Sequence, residues 1–409
     1  MKKIVFLLLL IIFNFGKLCS QWTVQYSNVS NTFFGVSYVN SLTGLAVGEQ
    51  GKIIKTDDGG YYWYEVFGGQ SYWLTGVKFI SQNIATATGA MGIIIRSTDG
   101  GISWNYQNSG SANNFKCIYF INENTGFVAG LSGSVYKTIN GGTNWVSQPQ
   151  VQISMYGMYF FDANTGIMCG AGGNIWKTMN GGTNWAIRNS TVGVDLNSIS
   201  FLNSTTGVIV GNSGTILLST NSGNTWIQKT SGASVTLYSV SAPSANRITA
   251  VGGSGTIITS EDAGLTWNPQ TSNVTTTLYA VNFIDNNNGC AVGEAGTVVT
   301  TTDGGSVFIR NINSNVPDKY SLEQNYPNPF NPNTIIRFKI KDLKVVSLKV
   351  FDLLGKEITT LVNDKLQPGT YEVSFSANGI KNFELPSGIY IYKLTTDSYV
   401  ETKKMTLIK

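Results

Sequence analysis

Two glutamates, Glu49 and Glu294, stand at the same place in two copies of a repeated unit, each directly after a glycine. Two facing carboxylates are the minimum equipment for glycoside hydrolysis, one acting as acid and the other as base or nucleophile; the other readings of Glu49 and Glu294 are two solvated loop acids, or ligand-binding residues that make a polar contact or cation site on one face. Four more carboxylates, Asp58, Asp99, Asp262 and Asp303, share another position of the repeat, where the sister copies carry Asn140, Asn180 and Asn221. An amide cannot serve as an acid or base, so that position is read as a structural turn acceptor. The chain has no histidine, which removes His-based triads, the usual zinc sets and the commonest general base. Two other groupings suit binding rather than bond breaking. Phe34, Tyr156, Tyr238 and Tyr279 occupy the second position of an alternating strand, and Tyr72 and Trp73 lie just upstream of another copy. Together they offer a rim for stacking a sugar or gripping a peptide, with packing between repeat units as the alternative use. Lys55, Arg96, Lys137 and Lys177 each fall three residues before the Asp or Asn position in four successive copies. That gives a candidate basic docking arc; the alternative is stems lying along sheet edges with their ends in water.

The elements that must position these groups repeat with unusual regularity. The turn reads "TDDGGYYW", "STDGGISW", "TINGGTNW", "TMNGGTNW", "STNSGNTW", "SEDAGLTW" and "TTDGGSVF", with successive spacings of 41, 41, 40, 41, 41 and 41 residues. A fixed period of this length marks a repeat architecture. The Asp or Asn is expected to accept a hydrogen bond from backbone N–H two residues on, as in an Asx-turn. The residue two later is glycine in every copy, from Gly60 to Gly305, as a positive φ requires. The residue between is relaxed to Ser222 and Ala263, and a less demanding geometry is expected there. Upstream lie glycines three apart, such as Gly48 and Gly51, and before them alternating strands such as "FFGVSYV" and "LYAVNFI". Each unit therefore reads as four short strands joined by tight turns. One such sheet cannot cover its own faces, and seven around an axis can, so the expected fold is an all-β seven-bladed β-propeller. The segment "QWTVQYSN" at residues 21–28 resembles the Trp strands, while the last copy has Phe308 in place of Trp. It is expected to pair into the seventh blade and latch the ring.

The chain of 409 residues opens on Met-Lys-Lys and an apolar run, read as a Sec signal peptide over residues 1–20. No later segment is long and apolar enough to span a bilayer. Residues 21–313 hold 11 basic and 13 acidic side chains, too few clustered cations for a nucleic-acid partner. The three remaining cysteines, Cys117, Cys169 and Cys290, are odd in number and sit in apolar runs, as buried free thiols would.

After the propeller, residues 314–324 read as a linker. Residues 325–409 hold short alternating strands and the motifs "NYPNPFNP", "VFDLLGKEI", "PGTYEV", "SGIYIYKL" and "ETKKMTLIK", suggesting a small β-sandwich, immunoglobulin-like in architecture. These motifs resemble the type A C-terminal sorting domain of the type IX secretion system. That resemblance implies an interaction with the secretion machinery through residues 325–409 and a final location outside the cell or on its surface. Residues 21–313 resemble the photosystem II stability/assembly factor family, a seven-bladed propeller with the same turns. The turn is similar as well to the Asp-box of bacterial neuraminidases and xyloglucanase-type propellers. A sialidase would need three clustered arginines, and the propeller has only Arg96, Arg188, Arg247 and Arg310 at unrelated points of the repeat.

The expected function is a monomeric, secreted, surface-displayed module that binds a glycan, matrix component or envelope protein, without cofactor, metal or catalysis. The alternative is an extracellular polysaccharide hydrolase or lyase using Glu49 and Glu294.

Overall fold

The computed structural model describes residues 22–66, 71–149, 151–302, 304–305, 309–313, 315–377 and 385–408. The expected signal segment, Asp303 and Phe308 lie outside them. The repeat folds as seven four-stranded antiparallel sheets. In blade 1 the strands are Phe33–Tyr38, Gly44–Gly48, Ile53–Thr56 and Tyr64–Val66, neighbours in sequence and in the sheet. The second strand of every blade is buried at all five positions. Both its faces pack on neighbouring blades, which is why runs such as "GFVAG" are continuously apolar or small. Apolar clusters between successive blades complete the circle. One of them joins Phe33, Val36 and Trp63 of blade 1 to Ala280, Val292 and Val298 of blade 7.

Closure follows the sequence expectation. Thr23–Gln25 pairs antiparallel with Val298–Thr301 and supplies the fourth strand of blade 7. Trp22 is fully buried and meets Phe283 edge-on, with ring centroids 5.6 Å apart and planes at 88°. Trp63 on Tyr38, Trp145 on Phe120, Trp185 on Phe160 and Trp226 on Phe201 make the same contact within their own blades. Trp22 thus takes the place of a seventh repeat tryptophan.

The turn departs from the expected Asx geometry. The Asp or Asn oxygen reaches the N–H four residues on, as in Asn140 to Asn144 at 2.9 Å and Asn180 to Asn184 at 2.8 Å. The N–H two residues on, that of the invariant glycine, donates instead to a hydroxyl that stands two residues before the Asp or Asn. Gly60 donates to Thr56, Gly101 to Ser97, Gly142 to Thr138 and Gly182 to Thr178, at 2.8–2.9 Å. The shorter hydroxyl side chain is the one that fits the tight inner loop. The residue between is also left-handed: Ser222 has φ 60° and Ala263 φ 59°. That region is open to L-residues at modest cost, whereas Gly60 at φ 96° and Gly264 at φ 91° need glycine. The first glycine of the upstream pair has a different reason. A Cβ on Gly48 would lie 1.9 Å from the Thr32 carbonyl oxygen.

Asp99 shows what the carboxylate version of the turn adds. Ser103, through its hydroxyl and then its N–H, holds the Asp99 carboxyl down at about 2, with help from Ser97 and Ile102. Its folded value lies below the unfolded one, so its contribution is complete above about pH 4 and is lost as pH falls toward 2. Asp99→Asn is expected to flatten stability against pH across that window, read as thermal midpoints at pH 2 to 5. A midpoint that falls as steeply in the variant as in the parent would contradict this.

The C-terminal segment forms two four-stranded sheets around one apolar core that includes Phe330, Phe338, Val350, Tyr392 and Leu407. Two boundaries differ from expectation. Ile309–Asn313, assigned to the propeller, pairs with Gly369–Ser376 of this unit. Ser321–Leu322, assigned to the linker, pairs with Lys339 and Phe338. The physical reason is competition: the place beside Val298–Thr301 is already filled by Thr23–Gln25, so the chain after the seventh turn finds another edge.

Candidate functional site

In each blade the innermost strand carries a β-bulge at its second residue. Phe34 falls between the paired Phe33 and Gly35, and Thr75, Lys116, Tyr156, Asn197, Tyr238 and Tyr279 fall at the matching register shifts. A bulge releases one side chain from the pleat and re-aims it. Seven bulges on seven inner strands therefore set one side chain each around the same end of the central channel. None of the seven is buried.

Four of the expected rim aromatics meet. Trp73 stacks on Phe34 at 5.6 Å, Phe34 meets Tyr279 at 5.3 Å, and Tyr279 meets Tyr238 at 4.9 Å. Three successive blades, the sixth, seventh and first, thus contribute to one arc, and Trp73 extends it from the loop entering blade 2. Trp73 is 51% exposed at its open end. Tyr156 lies on blade 4, outside the arc, where burial and then the charge of Asp195 raise its pKa. Tyr72 is 49% exposed and outside the stack of ring contacts. The polar bulge residues of the other sector bind neighbouring blades. Thr75 donates to the Phe115 carbonyl at 2.7 Å, and Asn197 to the Leu237 carbonyl at 2.9 Å.

Glu49 and Glu294 flank the aromatic arc at half-buried positions. Each accepts a backbone N–H just before the inner strand, Glu49 from Thr32 at 3.0 Å and Glu294 from Thr277 at 2.9 Å. The other oxygen of Glu294 accepts the Tyr279 hydroxyl at 3.1 Å. Burial, then the bond to Glu294 and the charges around it, Glu49 included, push the Tyr279 hydroxyl up to about 12. The Thr277 N–H is the main reason that Glu294 lies below its ordinary value. A depressed carboxyl is the reverse of what a general acid needs.

The basic arc takes a different form from free docking cations. Lys137 donates to the Gly181 carbonyl of the next blade at 2.9 Å, and Lys177 to the Ser222 carbonyl at 2.8 Å and to Asn224 at 2.9 Å. Arg96 donates to the Glu123 carbonyl of the next blade at 2.8 Å. Lys55 is 6% exposed and turns inward on its own blade, to Asp57 and Tyr64. Arg247, not singled out by its repeat position, donates to the Gly304 carbonyl of blade 7. The middle carbonyl of a tight turn points away from its own sheet, and a long cationic side chain from the preceding blade captures it. Arg96, Lys137, Lys177 and Arg247 act as latches between blades, whereas Lys55 braces its own. A cleft of about 300 Å³ between Arg96, Gln107 and Gly142 lies among these latches, away from the arc. Lys177→Met is expected to lower stability by about 2 kcal/mol, since Ser222 and Asn224 lose a charged donor. The check is a urea midpoint that drops while ligand capture by the folded protein is unchanged; lost capture at unchanged stability would restore the docking arc.

The family model for photosynthesis system II assembly factor YCF48 matches over residues 16–150, 143–230 and 227–302. The chain belongs to the YCF48 family. A second model, the secretion system C-terminal sorting domain, matches residues 324–409 and marks this family member for export to the cell surface or beyond. Similar solved structures include YCF48 bound to D1 peptide, at 22% identity and TM-score 0.60, covering 69% of this chain and 96% of that one. YCF48 from Cyanidioschyzon merolae is 19% identical with TM-score 0.58, covering 68% and 98%. The WD40 propeller domain of Doa1 is 14% identical with TM-score 0.59, covering 68% and 96%. At these identities the structural likeness shows the shared propeller. No curated protein matches the chain. Among the described residues no helix of this YCF48-family protein is long and apolar enough to cross a membrane.

Proposed function

We propose that this protein is an exported, non-catalytic binding module whose recognition surface is the aromatic arc at the channel mouth. The observation that carries the reading is the continuous contact of Trp73, Phe34, Tyr279 and Tyr238, drawn from different blades yet left accessible. Aromatic rings gathered without being buried supply contact area at low conformational cost, as binding surfaces do. Export through the sorting domain supports a glycan, matrix component or envelope protein as the partner. A relative described as bound to a peptide makes an extended protein segment a ligand of suitable shape. The hydrolase alternative loses support because Glu49 and Glu294 are engaged by backbone amides and Glu294 is shifted down, away from the range of a general acid. Capture of native surface ligands by the mature chain, compared with a Tyr238→Ala/Tyr279→Ala variant, tests the assignment. Turnover of a polysaccharide that Glu294→Gln abolishes would replace it with the enzymatic reading.

A further inference from the structure

The charges around the mouth are unevenly placed. Glu49 and Glu294 stand on adjacent blades at the aromatic arc, and Asp195 lies near the mouth beside Tyr156. Among the seven bulged residues the only cation is Lys116, on blade 3, away from the arc. Among the described residues the bulge positions of blades 6, 7 and 1 carry no cation while two carboxylates stand beside them; the inner strand of blade 2 carries Lys78, three residues past its bulge. Glu49 and Glu294 each keep capacity to accept, since a carboxylate has about four lone-pair sites, and Glu49 is engaged by the Thr32 amide, Glu294 by the Thr277 amide and the Tyr279 hydroxyl. Tyr279 donates its hydroxyl to Glu294. Donating to a carboxylate makes the phenol more phenolate-like and the ring richer in electrons, so its face is a better partner for positive charge. Trp73 presents an open ring at the end of the arc, and tryptophan is the best of the aromatic faces for a cation.

We infer that the mouth is selective for a cationic side chain on an extended peptide, an arginine guanidinium seated against Trp73, Phe34 and Tyr279 and ion-paired with Glu49 and Glu294. The inference rests on the proposed binding role of the arc and adds the chemistry of the ligand. The guanidinium is planar and weakly hydrated, so it stacks on rings and still forks toward carboxylates, which an apolar or sugar guest cannot do. Lys116 sets the opposite preference across the mouth and orients the peptide with its positive residue toward blades 7 and 1.

The probe is the amidated peptide acetyl-Gly-Arg-Gly-Arg-Gly, compared with its citrulline counterpart, which has nearly the same shape and no charge. Calorimetric titration of the mature full chain is expected to give binding about tenfold tighter for the arginine peptide, as a cation–π contact with ion pairing implies. The preference should shrink at high salt. Glu49→Gln/Glu294→Gln should bring the arginine peptide to the citrulline level. Glutamine keeps an acceptor for the Thr32 and Thr277 amides, so the fold is preserved. Trp73→Leu, at an exposed position, provides a second variant and should also weaken the arginine peptide selectively. Equal binding of the two peptides, or no binding of either up to their solubility limit, overturns the inference. So does a glycan or neutral ligand whose capture needs Tyr238 and Tyr279 but ignores the two glutamates. That last result leaves the recognition surface in place, whereas capture that survives Tyr238→Ala/Tyr279→Ala removes the surface itself.

Discussion

Replacing Trp22 by alanine is expected to lower the stability of the propeller by about 3–5 kcal/mol, the range for deleting a fully buried tryptophan side chain. Trp22 is 0% exposed, packs edge-on against Phe283, and donates its indole N–H to Gln270 at 2.8 Å. Its carbonyl accepts the Asn273 side chain at 2.7 Å, and Ser27 just beyond bonds the Gly296 carbonyl at 2.7 Å. The strand these contacts hold is only three residues long. Without them its pairing with Val298–Thr301 is too short to persist alone. Blade 7 would then present an open edge, and the ring would lose the strand contributed from the opposite end of the sequence. Trp104, at the same place in blade 2, is partly exposed and holds a strand already tethered by its own turn. Trp104→Ala should therefore cost less. Urea midpoints for both variants, with hydrogen exchange at the amides of residues 298–301, make the comparison. Equal midpoints for Trp22→Ala and the parent would mean that the clasp does not stabilise the ring.

The second large effect concerns the mouth. Tyr238→Ala/Tyr279→Ala is expected to weaken ligand capture on the order of a hundredfold, as the loss of two central aromatic anchors does at protein interfaces. The two rings touch at 4.9 Å, so the single variants should each lose more than half of the combined effect. Neither ring is fully buried. Truncation leaves no closed cavity, and thermal midpoints should move little compared with those of Trp22→Ala. Binding titrations against ligands recovered from the native cell surface give the affinities, with the thermal midpoint as the control for folding. Affinity that survives both substitutions would direct the search to another face of the ring.

The two effects divide along the line between what repeats and what does not. The turns, the glycine pairs and the alternating strands recur every forty or so residues, and each depends on hydrogen bonds among residues a few positions apart. Local chemistry of that kind is written directly in residue type and spacing. The invariant hydroxyl at Thr56, Ser97, Thr138, Thr178, Ser219, Ser260 and Thr301 was equally visible. Its role is not evident from residue type, because Asp and Asn are the commoner turn acceptors, yet here they take the N–H four residues on and leave the glycine N–H to the hydroxyl. The register of Lys137 and Lys177 was visible as well, but their destination was not. A cation three residues before a turn looks like a free surface charge until the next blade brings a carbonyl to it.

Length, period and the residue pattern of one unit determined the blade, the number of blades and the tryptophan segment able to close them. Tertiary structure alone decided which side chains from different blades touch. Trp73, Phe34, Tyr279 and Tyr238 span about 245 residues of sequence and become neighbours only because the ring sets the first and seventh blades side by side and the bulges aim Phe34, Tyr238 and Tyr279 at the channel mouth. Edge competition settled the fate of Ile309–Asn313 in the same way: one edge of blade 7 accepts one strand, and the strand that fills it comes from the far end of the chain.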